Sequence, residues 1–163
     1  MRGPAIDPSF VTCPTMMTGR PRSFAIRMSV AATSRTCDGC PAIPSDIADA
    51  YAVLLEAQQV GVQAGTIGTP CEEVDRATRA VIEQAGYGDY FIHRTGHGIG
   101  MEEHEDPYIV EGNALPLAPG HAYSVEPGIY VPGKWGMRLE DIVVATPTGP
   151  ESLNNSDHAL ISV

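Results

Sequence analysis

Prolines divide this chain. Six of its fourteen, Pro4, Pro8, Pro14, Pro21, Pro41 and Pro44, fall in the first 45 residues. Each removes a backbone donor and breaks any helix that runs through it. Charge changes at the same place. Residues 1–45 hold five Arg and two Asp, whereas residues 46–163 hold five basic and eighteen acidic groups. A core is therefore expected from residues 46–163, with residues 1–45 an irregular segment, either disordered or translated out of frame. Within that segment residues 24–30 alternate weakly and are the best strand candidate. Cys37 and Cys40 have C-x-x-C spacing, but no second pair follows to complete a zinc site. They read as two reduced thiols in a loop.

The balance of charge excludes some partners. A net charge of −10 is poorly suited to gripping nucleic acid or anionic lipid. No apolar run approaches the roughly 20 residues that a membrane helix needs. There is no continuous apolar stretch of the kind a secretory signal requires. With few cysteines beyond the first segment, these features predict a cytoplasmic protein.

From Ser45 onward the pattern is regular. Ser45 and Asp46 suit a helix start, and Ile47, Tyr51, Leu54 and Leu55 recur at helical spacing, predicting a helix over residues 46–60 that stops near Gly61. Thr69-Pro70-Cys71-Glu72 reads as a capping box with proline at the first helical position. Val74, Ala77, Val81, Ile82 and Ala85 form the buried stripe behind it, and Gly86 supplies a left-handed cap. Strands are predicted at residues 90–93, 121–126, 129–131 and 137–146. The fold class is α+β, with helices packed on one side of a largely antiparallel sheet.

The chemistry-bearing residues cluster. His93, His97 and His104 lie within twelve residues, and Gly96, Gly98 and Gly100 surround His97. Glycines there let the backbone bend and approach a ligand. Glu126 stands among apolar and turn-forming neighbours, and Glu140 lies in a strand expected to be buried. A buried carboxylate is costly unless it is paired or metal-bound. Arg138, two residues before Glu140, offers one partner and a metal offers another. One His and two Glu suit a divalent ion such as Mn, Co, Fe or Zn. Singly, each residue is more often structural: His97 a satisfied turn histidine, Glu126 a turn cap, Glu140 a salt bridge to Arg138. Together they favour a site.

Three strings carry a resemblance. His93-Arg-Thr-Gly-His-Gly-Ile-Gly-Met-Glu-Glu-His104-Glu, Val125-Glu-Pro-Gly-Ile-Tyr130 and Arg138-Leu-Glu-Asp-Ile-Val-Val144 resemble, in order, the histidine motif and two glutamate motifs of the metallopeptidases that include methionine aminopeptidase, aminopeptidase P and prolidase. Creatinase, not a peptidase, shares the family. The resemblance covers residues 46–163 and is to the proline-directed members. Glu103 departs from it, standing where the family usually has an aliphatic residue. The resemblance implies the C-terminal part of a pita-bread catalytic domain, here incomplete. It implies a metal-dependent exopeptidase of Xaa-Pro aminopeptidase or dipeptidase type, acting on short peptides.

By motif match, His97, Glu126 and Glu140 are metal ligands, Glu126 also moves the proton, His104 and His93 contact substrate, and Arg138 supports Glu140. Intact relatives hold two ions through five protein ligands. The other two ligands are aspartates expected upstream, where Asp7 and Asp38 lack the family's context. At most one ion is therefore expected, with little or no activity from this chain alone. Residues 25–34 can be written in GC-rich codons that, read one base earlier, give D-x-G and D-I-T strings at a spacing compressed relative to the family, so a frameshift is one hypothesis for the missing aspartates. An incomplete sheet would expose an edge, so a homodimer is a further expectation. The alternative function is a non-catalytic binding domain of the same fold. A metal-free creatinase-like C–N hydrolase fits less well, because the metal-type residues are present.

Overall fold

The computed structural model describes residues 34–36 and 40–162. Its elements run β1 (Ser34–Thr36), α1 (Ser45–Ala64), α2 (Cys71–Gln84), β2 (Gly96–Gly98), β3 (Glu105–Ile109), β4 (Ala122–Val125), β5 (Gly128–Val131), β6 (Trp135–Arg138), β7 (Asp141–Thr146), β8 (Gly149–Ser152) and β9 (Leu160–Ser162). A five-stranded sheet has the order β3-β2-β4-β7-β8, and every pairing in it is antiparallel. β5 and β6 form a separate hairpin. β1 pairs in parallel with β9, joining the two ends of the described chain. A regular strand thus stands in the stretch expected to be irregular. The strand candidate at residues 24–30 lies outside the described residues. Cys40 is disulfide-bonded, which corrects the expectation of a reduced thiol there.

Two apolar clusters hold the elements together. In the first, α1 lays Ile47, Ala50, Tyr51, Leu54 and Ala57 against the hairpin residues Ile129, Val131, Trp135 and Met137. These α1 positions recur at steps of three and four, so they fall on one stripe. In the second, Cys71 and Val74 of α2 meet Ile109, Tyr123, Val125, Val143 and Ala145 on the five-stranded sheet. β7 shows the period of two expected of a half-buried strand, with Asp141, Val143 and Ala145 inward.

The helix ends differ in part from expectation. α1 runs through Gly61 to Ala64 because Gly61 is buried, and a side chain there would meet Thr78 Oγ1 and Val125. The capping box at Thr69 does not form. Its hydroxyl bonds the Thr66 hydroxyl instead, and the first free N–H groups of α2, on Cys71 and Glu72, donate to the carbonyls of Leu115 (3.0 Å) and Asn113 (2.9 Å). At the other end Gly86 is left-handed, φ +84°, with its N–H on Glu83 O and the Tyr87 N–H on Ile82 O. That is a Schellman cap, as the glycine predicted.

Two predicted strands fail. Residues 88–90 form a turn of 3-10 helix and residues 91–95 stay outside the ladders, because Arg79 takes the carbonyls of Phe91 and His93. The long strand at residues 137–146 is two strands in different sheets. β6 pairs with β5 and β7 pairs with β4, and the chain turns between them at Leu139 and Glu140. Glu140 is therefore at a corner with its side chain 40% exposed, not in a buried strand.

Candidate active site

The histidine segment is placed by a buried carboxylate. Asp75 on α2 has no exposed surface. Its Oδ1 accepts from the Thr95 N–H (3.0 Å), the Thr95 hydroxyl (2.7 Å) and Arg79 Nη2 (3.0 Å), and its Oδ2 from Arg79 Nε (3.0 Å). The Arg79 guanidinium reaches on to the carbonyls of Phe91 and His93, both at 3.0 Å. Besides the Asp75–Arg79 pair itself, these bonds fall on residues 91–95, so α2 fixes the approach to β2 and hence His93 and His97.

β2 then sits unusually close to its neighbours. A Cβ at Gly96 would strike the backbone of Ser124 on β4, and one at Gly98 the backbone of Asp106 and Pro107 on β3. Neither glycine has a positive φ. The glycines beside His97 thus make room for flanking strands, which corrects the expectation of a bend toward a ligand.

His97 is 5% and Glu126 7% exposed. The Glu126 N–H donates to Thr95 O at 2.8 Å. Ser124 Oγ accepts from the His97 N–H (3.0 Å) and donates to Glu126 Oε1 (3.2 Å). His97 Nδ1 lies 3.0 Å from the carbonyl of Gly98, which only accepts, so the ring hydrogen belongs on Nδ1. The Nε2 lone pair then faces Glu126 Oε1 at 3.2 Å. Two lone pairs meeting in a buried place call for a cation between them, a proton or a metal ion.

The rest of the expected ligand set is arranged differently. Arg138 Nη1 is 3.1 Å from Glu126 Oε2, and its Nη2 is 3.6 Å from Glu140 Oε2. The guanidinium thus joins the two glutamates. His97, Glu126 and Glu140 share one neighbourhood, but Glu140 enters it through Arg138. Among the described residues no group of three His, Cys, Asp or Glu side chains is placed to hold a metal ion. The donors fit half a metal site, made by His97 and Glu126.

The other expected residues line the adjoining cleft of about 600 Å³, whose walls include His93, His104, Glu126 and Arg138. His93 donates from Nδ1 to Arg94 O (2.7 Å), and its Nε2 stands 3.3 Å from the Tyr130 hydroxyl. Burial pushes the Tyr130 phenol up, so it keeps its proton and donates. His104 is exposed, with its ring 4.2 Å from that of His97. Arg94, Tyr108 and Val110 complete the wall, and sequence reasoning passed over all three. Tyr130 closes the Glu126 motif and Arg94 sits inside the histidine motif, so their positions were the available signal. Asp75 and Arg79 gave only the i, i+4 spacing of an ordinary surface pair.

A family profile for metallopeptidase family M24 matches residues 26–147. The chain belongs to this family. It is 54% identical over 119 residues to a probable dipeptidase PepE of Mycobacterium bovis, covering 73% of this chain and 32% of that protein. It is 49% identical over 110 residues to an Xaa-Pro dipeptidase of Lactobacillus helveticus, covering 68% and 30%. The crystal structure of dipeptidase PepE from Mycobacterium ulcerans superposes with a TM-score of 0.71 at 52% identity, covering 72% of this chain and 32% of that one. The fold is thus that of the pita-bread M24 peptidases. The M24 chain spans about a third of the length of these relatives.

Proposed function

We propose that this M24 domain presents a peptide cleft of the Xaa-Pro dipeptidase type, with His97 and Glu126 as the primary metal donors. Glu140 joins them once Arg138 releases it. The observation that carries this is the His97 Nε2–Glu126 Oε1 approach of 3.2 Å, with the ring hydrogen held on the opposite nitrogen. A bound divalent ion, of the Mn, Co, Zn or Fe kind, supplies Lewis acidity and water activation. Glu126 takes and returns the proton, since its Oε1 faces that position and Ser124 orients it. His93, backed by Tyr130, lines the pocket, and exposed His104 meets the substrate. Arg138 keeps Glu126 and Glu140 together.

The 163-residue chain contributes one histidine and two glutamates, so we propose one weakly held ion and slow turnover at best. Calorimetric titration with Mn²⁺ or Co²⁺ is expected to show a single site that His97→Ala abolishes. Two tight sites, or ready hydrolysis of an Ala-Pro dipeptide, would contradict this. A second reading is peptide binding without catalysis. The Arg138 bridge favours it, because a guanidinium joins the two carboxylates that a metal needs. Binding of Ala-Pro unaffected by metal would select that reading.

A further inference from the structure

Asp141 is a buried carboxylate outside the walls of the cleft. It follows Glu140 directly, and its side chain is 7% exposed. Its Oδ2 accepts from Gln58 Nε2 of α1 at 2.9 Å, and Gln58 is itself buried. Its Oδ1 lies 3.1 Å from His158 Nε2. A carboxylate only accepts, so His158 Nε2 carries a hydrogen and donates it.

His158 lies between β8 and β9, on a segment tied down along its length. The Leu153 N–H donates to Ile142 O (2.8 Å), and Asn154 Oδ1 accepts from the Ile142 N–H (2.7 Å). The Tyr51 hydroxyl donates to the His158 carbonyl at 2.9 Å, and Leu160 is buried in the cluster built on α1. These contacts aim the imidazole at Asp141. The corner that carries Glu140 is thus held on both sides. Before it, Leu139 is buried and its N–H donates to Pro127 O at 3.3 Å. After it, Asp141 pairs in register with Val125, the residue before Glu126, while Gln58 and His158 hold its carboxylate. The Glu140 side chain is 40% exposed, so Glu140 takes its place from its neighbours more than from its own packing.

We propose that His158, acting through Asp141, is a positioning residue that sets Glu140 beside Glu126 for the metal ion. This rests on the metal-donor reading above. A buried carboxylate oxygen that loses its donor is costly, so Asp141 must move to find another, and the backbone of Glu140 moves with it. Removing a group that orients a metal ligand from behind typically weakens metal binding by about 10–100-fold. His158 is one residue removed from the ligand, which places its effect at the lower end.

The test is calorimetric titration of the 163-residue chain and its variants with Mn²⁺. His158→Ala is expected to weaken binding about tenfold. His158→Gln, whose amide N–H reaches where Nε2 stood, recovers most of the loss, and the shorter His158→Asn does not. In a Glu140→Gln background His158→Ala changes the affinity by less than about twofold, because the ligand it acts on is already gone. Ser162→Ala removes a bond from the same end of the chain, Ser162 Oγ to Pro41 O, and leaves the affinity unchanged. Unaltered Mn²⁺ affinity in His158→Ala overturns the positioning role while the metal reading stands. A full tenfold loss in the Glu140→Gln background, or an equal loss in Ser162→Ala, overturns it too, since His158 would then only hold the segment. Should His158→Ala fail to fold, the contrast between His158→Gln and His158→Asn decides. Absence of Mn²⁺ binding by the unaltered chain overturns the metal reading itself, and the positioning role falls with it.

Discussion

Asp75 carries more of the site than any residue that faces the cleft. It is fully buried, and donors from Thr95 and Arg79 satisfy both of its oxygens. Removing the carboxylate leaves the buried Thr95 N–H unpaired and frees Arg79 from the pair that aims it at Phe91 O and His93 O. Breaking a buried pair from one side typically costs about 3–5 kcal/mol. The Arg79 side chain is 25% exposed, which places the expectation for Asp75→Ala at the lower end, about 3 kcal/mol. Urea unfolding measures it. A loss under about 1 kcal/mol would mean that residues 91–95 are held by something else. Surface control variants such as Glu83→Ala should stay within about 0.5 kcal/mol.

At the scale of elements, sequence and structure agree where a local rule acts alone. Gly86 ends α2 because only a left-handed residue closes a Schellman cap, and that is readable from one glycine after a helical stripe. The capping box at Thr69 fails because the loop through Asn113 and Leu115 brings carbonyls to the same N–H groups, a contact between distant parts of the chain. Residues 137–146 look like one strand because every residue suits a sheet. Which sheet each half joins depends on partners that the sequence does not mark, and the corner that results exposes Glu140. The candidate site follows the same division. His97 and Glu126 were legible in their motifs, while Asp75, Arg79 and Ser124 were not, since ordinary polar residues become specific only through what they touch. Gly61 shows the conflict between levels. Alanine normally stabilises a helix interior over glycine by about 0.5–1 kcal/mol. Here a Cβ would press on Thr78 Oγ1 and on Val125, so Gly61→Ala is expected to destabilise by about 1–3 kcal/mol. A raised melting temperature would show that α1 can shift away from α2.

The whole molecule is expected to respond to alkali through four phenols, three of them set in the two apolar clusters. Tyr51 packs with α1 and the hairpin, Tyr87 lies at the edge of the same cluster, Tyr123 stands at the centre of the sheet cluster, and Tyr130 backs His93. Burial pushes each of them above the ordinary phenol value of 10.0, with Tyr123 moved furthest. Burial disfavours the phenolate, so the folded chain keeps these protons to higher pH than the unfolded chain does. The sign of the effect follows by linkage. Where the folded state binds more protons, stability falls as pH rises. The contribution is complete below about pH 10 and is lost as pH climbs through the raised values. Because the phenols occupy both clusters, the loss should be one cooperative event and not the fraying of a single element. Denaturation at pH 8, 10 and 11, followed by far-ultraviolet circular dichroism and by phenolate absorbance, is expected to show stability nearly level to about pH 10 and then a steep fall. The absorbance step should coincide with the loss of helix signal. Ionisation of Tyr51 or Tyr123 near pH 10 while the helices persist, read as the absorbance lost in Tyr51→Phe and Tyr123→Phe, would place these rings in contact with water, against their burial at 2% and 0% exposure.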